Sequence, residues 1–390
     1  MFKTWIEILL VSTKLGLTSF GGPIAHLGYF RDEYVKKRNW LDERSYADLV
    51  ALCQFLPGPA SSQVGISIGI VRGGMVGGFL SWFGFTMPSV IALILFAYFV
   101  TGFQAEDAGW INGLKIVAVA VVAQAILGMG KNLTPDRPRI SIAVIAAIWA
   151  LFIPSALGQI AIIVIAGAAG YILYKEREVP KAEKLNLSVS LRTGIIAWIL
   201  FFGLLIVLPL IRQVFPNMWT AMFDTFYRVG SIVFGGGHVV LPMMEREVVP
   251  SGWISEEVFL AGYGAVQAVP GPLFTFASYL GASINGVQGA ILATAAMFLP
   301  SFLLVLAMLP FWNTLREKRS VQASLMGVNA AVVGILLAAF YNPVWTSAIK
   351  TTGDFALALT AFAMLVYWKL PPWIVVLGTA VGGILIQYVE

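Results

Sequence analysis

Residues 54–62 read QFLPGPASS, and residues 267–275 read QAVPGPLFT. A proline removes a backbone donor and disfavours helix in the residue before it, so the first stretch predicts one helix ending near Leu56 and another starting near Ala60. In lipid such a break would strand polar groups at a cost of several kcal/mol each, so it survives only where protein or a water-filled cavity receives it. The surrounding chain is lipid-like: of 390 residues, 58% are hydrophobic and 12% charged, against about 25% charged in soluble domains. Apolar windows long enough to bear on a ~30 Å hydrocarbon layer fall at 74–100, 111–130, 140–155, 159–174, 193–211, 290–311, 322–341, 355–368 and 373–388. The expected fold class is an all-α integral membrane protein. The first residues, MFKTWIEILLVSTKLGL, carry Glu7 and Lys14 within the apolar run and no small-residue cleavage site, so they read as part of the mature fold.

The two halves agree well beyond the quoted stretches. KLGLTSFGG at 14–22 matches RVGSIVFGG at 228–236, and Glu33 ahead of Trp40 matches Glu247 ahead of Trp253. Gly65, Gly69, Gly73, Gly77 and Ser81 are set against Ser278, Ala282, Gly286, Ala290 and Thr294. FTMPS at 85–89 then meets FLPS at 298–301, with Gly113 and Gly327 beyond. Matched loops change sign. Residues 31–44 hold Arg31, Lys36, Lys37, Arg38 and Arg44, whereas 245–257 hold four glutamates and Arg246; the acidic pair at 106–107 corresponds to basic 316–319. Because basic short loops stay cytoplasmic, the halves are expected to be inverted repeats whose broken or re-entrant helices meet near the bilayer midplane. The division reads as a first repeat at 1–174, a basic cytoplasmic linker at 175–192, a connecting span at 193–216 and the inverted repeat at 217–390.

Several side chains carry candidate chemistry. The helix after each break begins with free amides and a positive dipole end, beside Ser61, Ser62 and Gln63 in one copy and Thr275 in the other, which suits an anion. Pro57, Gly58 and Pro59, with Pro270, Gly271 and Pro272, form the breaks; a tight bend between packed helices is the plainer account. Gln54 and Gln267 either donate amide hydrogens to a ligand or satisfy the freed carbonyls. Lys14 and Arg228 share one repeat position inside apolar helices, where a cation costs roughly 2.5 to 3.5 kcal/mol on insertion scales. Anion attraction, snorkelling to an interface, or for Arg228 a pair with Asp224 would each explain them. Asp224 has Leu10 as its counterpart, so that pairing does not extend to Lys14. Gly21, Gly22 and Pro23, and Gly235, Gly236 and Gly237, mark earlier helix breaks. His26 and His238 follow them at different offsets, as capping or pathway-lining groups. Glu33 and Glu247 match in register, either as partners for Arg38 and Arg246 or as ion-coupling groups. The small-residue stripe reads as a packing surface. Cys53 is the single cysteine, so no intramolecular disulfide and no structural metal site is expected.

At FGGPIAHLGYFRDEYVKKRNWL with YADLVALCQFLPGPASSQ, and again at FGGGHVVLPMMEREVVPSGWI with YGAVQAVPGP, the sequence resembles the chromate ion transporter family in its long, two-domain form. The resemblance implies antiparallel domains and export of chromate from the cytoplasm. It carries over Phe20, Gly21, Gly22, Pro23, His26, Glu33, Trp40, Gln54, Pro57, Gly58, Pro59, Ser61, Ser62 and Gln63 as motif positions. In the second copy Gly237 stands in place of Pro23, and residues 273–275 replace the serine pair. The expected partners are a chromate or sulfate oxyanion, the lipid bilayer and a second copy of the chain as a homodimer. No nucleic acid, cofactor or metal is expected, and the expected location is the inner (plasma) membrane. An oxyanion-selective channel or a sulfate transporter is the alternative. An enzyme such as a chromate reductase would need a redox centre, and no CxxC, haem site or strand-associated GxGxxG occurs.

Overall fold

The computed structural model describes residues 1–19, 22–102, 109–153, 156–175, 189–233, 240–312 and 318–389, and every regular element among them is helical. The first half comprises α1 (Phe2–Thr18), α2 (Gly22–Phe30) with a π-helical turn (Arg31–Lys37), α3 (Glu43–Phe55), α4 (Ala60–Gly102), α5 (Gly109–Leu133), α6 (Arg137–Phe152) and α7 (Ala156–Tyr174). After α8 (Leu191–Val214) the same order returns: α9 (Met218–Ile232), α10 (Val240–Val248), α11 (Glu256–Val266), then a 3-10 turn (Leu273–Thr275) leading into α12 (Phe276–Met308), α13 (Arg319–Ala339), α14 (Thr352–Val366) and α15 (Pro372–Val389). Among the described residues, five spans are long and apolar enough to cross a bilayer: Ala60–Val100, Gly109–Lys131, Leu191–Val214, Leu273–Phe311 and Arg319–Ala348. Ile160–Tyr174, Thr352–Val366 and Pro372–Tyr388 are apolar but shorter. The chain is a multi-pass, all-α membrane protein.

The helix breaks at the first Pro-Gly-Pro fall where steric rules put them, α3 ending at Phe55 and α4 beginning at Ala60. Within α4 the backbone leaves helical geometry at Gly73 (φ −137°, ψ 17°) and Gly74 (φ 66°, ψ −162°); within α12 it does so at Asn285 (φ −150°, ψ 41°) and Gly286 (φ 60°, ψ −157°). A Cβ on Gly69 would overlap the carbonyl of Gly77, and one on Gly281 that of Gly289. Residues eight apart in a straight helix are about 12 Å distant, so α4 and α12 are each a hairpin of two helices packed face to face. The small-residue stripe is therefore a surface folded on itself about Gly73, with Gly65 against Ser81 and Gly69 against Gly77.

Hairpin geometry also corrects the register. Gly74 and Gly286 hold the same turn, Gly69 and Gly77 correspond to Gly281 and Gly289, and Gly16 meets Phe85 as Gly230 meets Met297. The residue missing from the second copy is thus lost between Pro272 and the turn, not after Phe298. The 3-10 turn at Leu273–Thr275 occupies that stretch.

Each hairpin tip has a different setting. At the first, Arg72 pairs with Glu7 at 2.9 Å and stacks over Trp40, 4.3 Å from the ring centre. At the second, the Val287 amide donates to the Tyr98 hydroxyl at 3.2 Å, near the far end of α4. The halves also interlock: α5 packs on α14 and α15, and α13 on α6 and α7. Glycine permits the closest of these approaches, since a Cβ on Gly113 would strike Thr379 and one on Gly327 would strike Ala166.

Candidate functional site at the paired helix breaks

From Ala60 to the turn at Gly73 the first arm of α4 rises about 20 Å, less than the ~30 Å hydrocarbon layer. Its turn is exposed, and the Pro-Gly-Pro break stands at its other end. Both breaks need glycine: Gly58 has φ 111° and Gly271 φ 99°, a region closed to most L side chains. Each is tied to the opposite half. The Gly58 amide donates to the Val233 carbonyl at 2.7 Å, and the Gly271 amide to the Ser19 carbonyl at 2.8 Å. Ser19 and Val233 are themselves equivalent, each capping the first helix of its half. A Cβ on Gly58 would come within 2.8 Å of Ser301 Oγ, and one on Gly271 would overlap Ser89 Oγ. Those serines follow the in-helix prolines Pro300 and Pro88, so each break faces the serine of the other half.

The first break is rich in polar atoms left unpaired among the described residues. Ser61, Ser62, Gln63 and His26 are buried. His26 Nδ1 lies 3.3 Å from Ser61 Oγ, and Gln63 Nε2 donates to the Pro57 carbonyl at 2.6 Å. Ser19 Oγ, His26 Nε2, Ser62 Oγ, Gln63 Oε1 and Ser301 Oγ have no hydrogen-bond partner among the described residues. A buried polar group left unsatisfied costs about 1–3 kcal/mol, so a bound polar solute or water would offset a substantial penalty. The His26 ring edge meets Phe85 at 5.5 Å between centres, and the Phe85 carbonyl borders Gly271; two residues thus bridge the breaks.

The second break is built differently. Thr275 donates its hydroxyl to the Pro272 carbonyl at 2.7 Å, and Ser89 donates to the Pro270 carbonyl. Gln267 is half-buried with Nε2 unpartnered among the described residues, whereas Gln54 is exposed. Pro23 lies in α2, one residue after Gly22 (φ 78°). Gly21, Gly235, Gly236, Gly237 and His238 fall outside the described residues.

Both cations of the shared repeat position have carboxylate partners. Lys14 Nζ donates to Glu33 at 3.1 Å, and Arg228 donates to Glu247 at 2.6 Å and to Asp224 at 3.3 Å. The Glu33 side chain, 6% exposed, also accepts from Arg38 at 2.9 Å. The repeat therefore duplicates a cation–glutamate pair; Glu247 takes Arg228 and not the expected Arg246, whose guanidinium donates to the Ala150 carbonyl at 2.9 Å. Ser89 and Ser301 were visible in the sequence only as markers of the repeat; their place opposite the glycines required the fold.

No solved structure matches the chain. Among curated relatives, the chromate transport protein of Pseudomonas aeruginosa is 27% identical over 96% of this chain and 90% of its own length. The chromate transport protein of Cupriavidus metallidurans is 25% identical over 97% of this chain and 92% of its own. The uncharacterized transporter YwrA of Bacillus subtilis is 27% identical over 43% of this chain and 97% of its own length, so it has the size of one half. The profile of the chromate transporter family matches twice, over residues 6–171 and 220–384, once for each set of helices around a Pro-Gly-Pro break, and the chain belongs to that family.

Proposed function

We propose that the protein exports a tetrahedral oxyanion, chromate with sulfate as a second substrate, from the cytoplasm across the inner membrane. The family is one of transporters and not of enzymes. The observation that carries the reading is the pair of helix breaks joined by reciprocal Gly58–Val233 and Gly271–Ser19 hydrogen bonds, with buried hydroxyls and a histidine nitrogen beside the first that are unpaired among the described residues. Free amides and hydroxyl donors suit an anion at a helix start. Inversion of the halves is supported by the sign-changed loops and by the second tip's contact with Tyr98, 24 residues along α4 from the first. In this arrangement Lys14 and Arg228 are paired cations for which an arriving anion competes with Glu33 and Glu247.

An inside-negative potential supplies about 2.3 kcal/mol per charge per 100 mV, so a departing dianion gains about 4.6 kcal/mol. Export thus runs without an obligatory coupling ion, leaving Glu33 and Glu247 free for structural pairing. The continuous burial of residues 61–70 around the first break favours a carrier over an open channel. The test is purified protein in liposomes under an imposed potential, assayed for chromate and sulfate. Saturable flux in the direction set by the potential is expected; absence of oxyanion flux would overturn the reading.

A further inference from the structure

A cavity of about 270 Å³ adjoins the second break. Gln267 and Gly271, Val121 and Gln124 of α5, Gly22 at the start of α2, and exposed Lys369 in the loop between α14 and α15 line it. Among the described residues, Lys369 is one of two non-glycine residues with positive φ, at 53°. Unlike Lys14 and Arg228, it has no carboxylate partner among the described residues. Gln124 Nε2 reaches the Leu365 carbonyl only at 3.4 Å, and Gln267 Nε2 is unpartnered among the described residues. Exposed Tyr367 and Trp368 precede the lysine. Aromatic rings of this kind sit at the membrane–water interface, which places the cavity mouth at one face of the bilayer.

The repeat does not duplicate this feature. In the register that pairs Gly113 with Gly327, Gln124 is matched by Ala338 and Lys369 by Ser155, neither of them basic or an amide. Symmetry of fold therefore does not account for the cluster.

We propose that Lys369, Gln124 and Gln267 form an oxyanion-binding vestibule leading to the Gly271 break. The proposal rests on the transport reading and adds contacts which that reading does not contain. An ammonium without a carboxylate and two amide groups select a soluble tetrahedral oxyanion, while Val121 and Leu370 exclude part of its water.

The test is binding of radiolabelled sulfate, and competition by chromate, with the full-length protein in a neutral, lipid-free detergent. Wild type is compared with Lys369→Gln, Lys369→Arg, Gln124→Ala and Lys350→Gln, the last removing a charge on an exposed lysine that donates to the Thr346 carbonyl. Lys369→Gln is expected to weaken binding about tenfold, as for loss of one charge-assisted hydrogen bond, with a smaller loss for Gln124→Ala. Lys369→Arg should retain most of the affinity and Lys350→Gln all of it, with every variant monodisperse. Wild-type binding that Lys369→Gln leaves unchanged would overturn the vestibule and leave the transport reading standing; wild type that binds neither anion would overturn both. A Lys369→Gln variant altered only in its retention of phosphatidylglycerol would assign the lysine to a lipid headgroup and likewise overturn the vestibule.

Discussion

Placing a methyl group on the two Pro-Gly-Pro glycines perturbs the site at its narrowest point. Gly58 at φ 111° and Gly271 at φ 99° occupy a region where a non-glycine residue costs about 1–3 kcal/mol. Steric contact adds to this. The new Cβ at 58 would approach Gln63 Nε2 at 2.8 Å, and that amide already donates to the Pro57 carbonyl. At 271 it would overlap Ser89 Oγ, which donates to the Pro270 carbonyl. Displacing either side chain forfeits one hydrogen bond, about 0.5–1.5 kcal/mol net. Each Gly→Ala variant is therefore expected to lose roughly 2–4 kcal/mol in total. Gly74→Ala provides the comparison: its φ is 66° and its Cβ would meet nothing within 4 Å, so only the backbone component of about 1–3 kcal/mol applies. Reversible unfolding of the purified protein in mixed micelles gives the free energies, and liposome flux per folded protein gives the functional effect. Gly58→Ala and Gly271→Ala should fall below Gly74→Ala in stability and should transport least. Equal or milder losses at 58 and 271 would refute the close approach of the halves at the breaks, and full flux in both would reduce Pro-Gly-Pro to a packing bend.

Further outcomes follow from other parts of the molecule. With buried Cys53 replaced, cysteines introduced in loops 31–44 and 316–319 should label only from the cytoplasm and those in 245–257 only from outside; external labelling of both 31–44 and 245–257 would sink the inverted arrangement. Lys14→Gln and Arg228→Gln should each raise the half-saturation for chromate roughly ten- to a hundredfold, the effect of about 1.5–3 kcal/mol for a hydrogen bond to a charged group, whereas unchanged half-saturation in both would remove these cations from the anion's path. Asp136 caps α6 by accepting from the Arg139 amide and guanidinium and from the Tyr174 hydroxyl at 2.7 Å, and the Arg139 hydrogen bond holds its carboxyl below the usual carboxylate range. A depressed folded-state pKa means that this stabilisation is complete above the unfolded value of about 3.9 and is lost as pH falls below it; Asp136→Ala should abolish that acid-dependent component and cost about 0.5–2 kcal/mol at neutral pH.

Sequence rules reach what depends on neighbours a few residues away. Proline and glycine rules located the first break between Phe55 and Ala60, hydropathy established the membrane class, and internal matching exposed the duplication and the shared positions of Lys14 with Arg228 and Glu33 with Glu247. Relations between residues remote along the chain came with the folded packing alone. The stripe from Gly65 to Ser81 has the spacing of a surface for another helix, yet it packs on itself because the positive φ of Gly74 turns the chain back. The one-residue offset before Gly286 was invisible because Ala282 and Ala290 fit a small-residue pattern as well as Gly281 and Gly289 do. Gln54 and Gln267 look equivalent in sequence, but one is exposed and the other borders a cavity with Gln124 and Lys369, since burial is set by packing of the opposite half. That packing is long-range and cooperative, and local chemical rules carry no record of it.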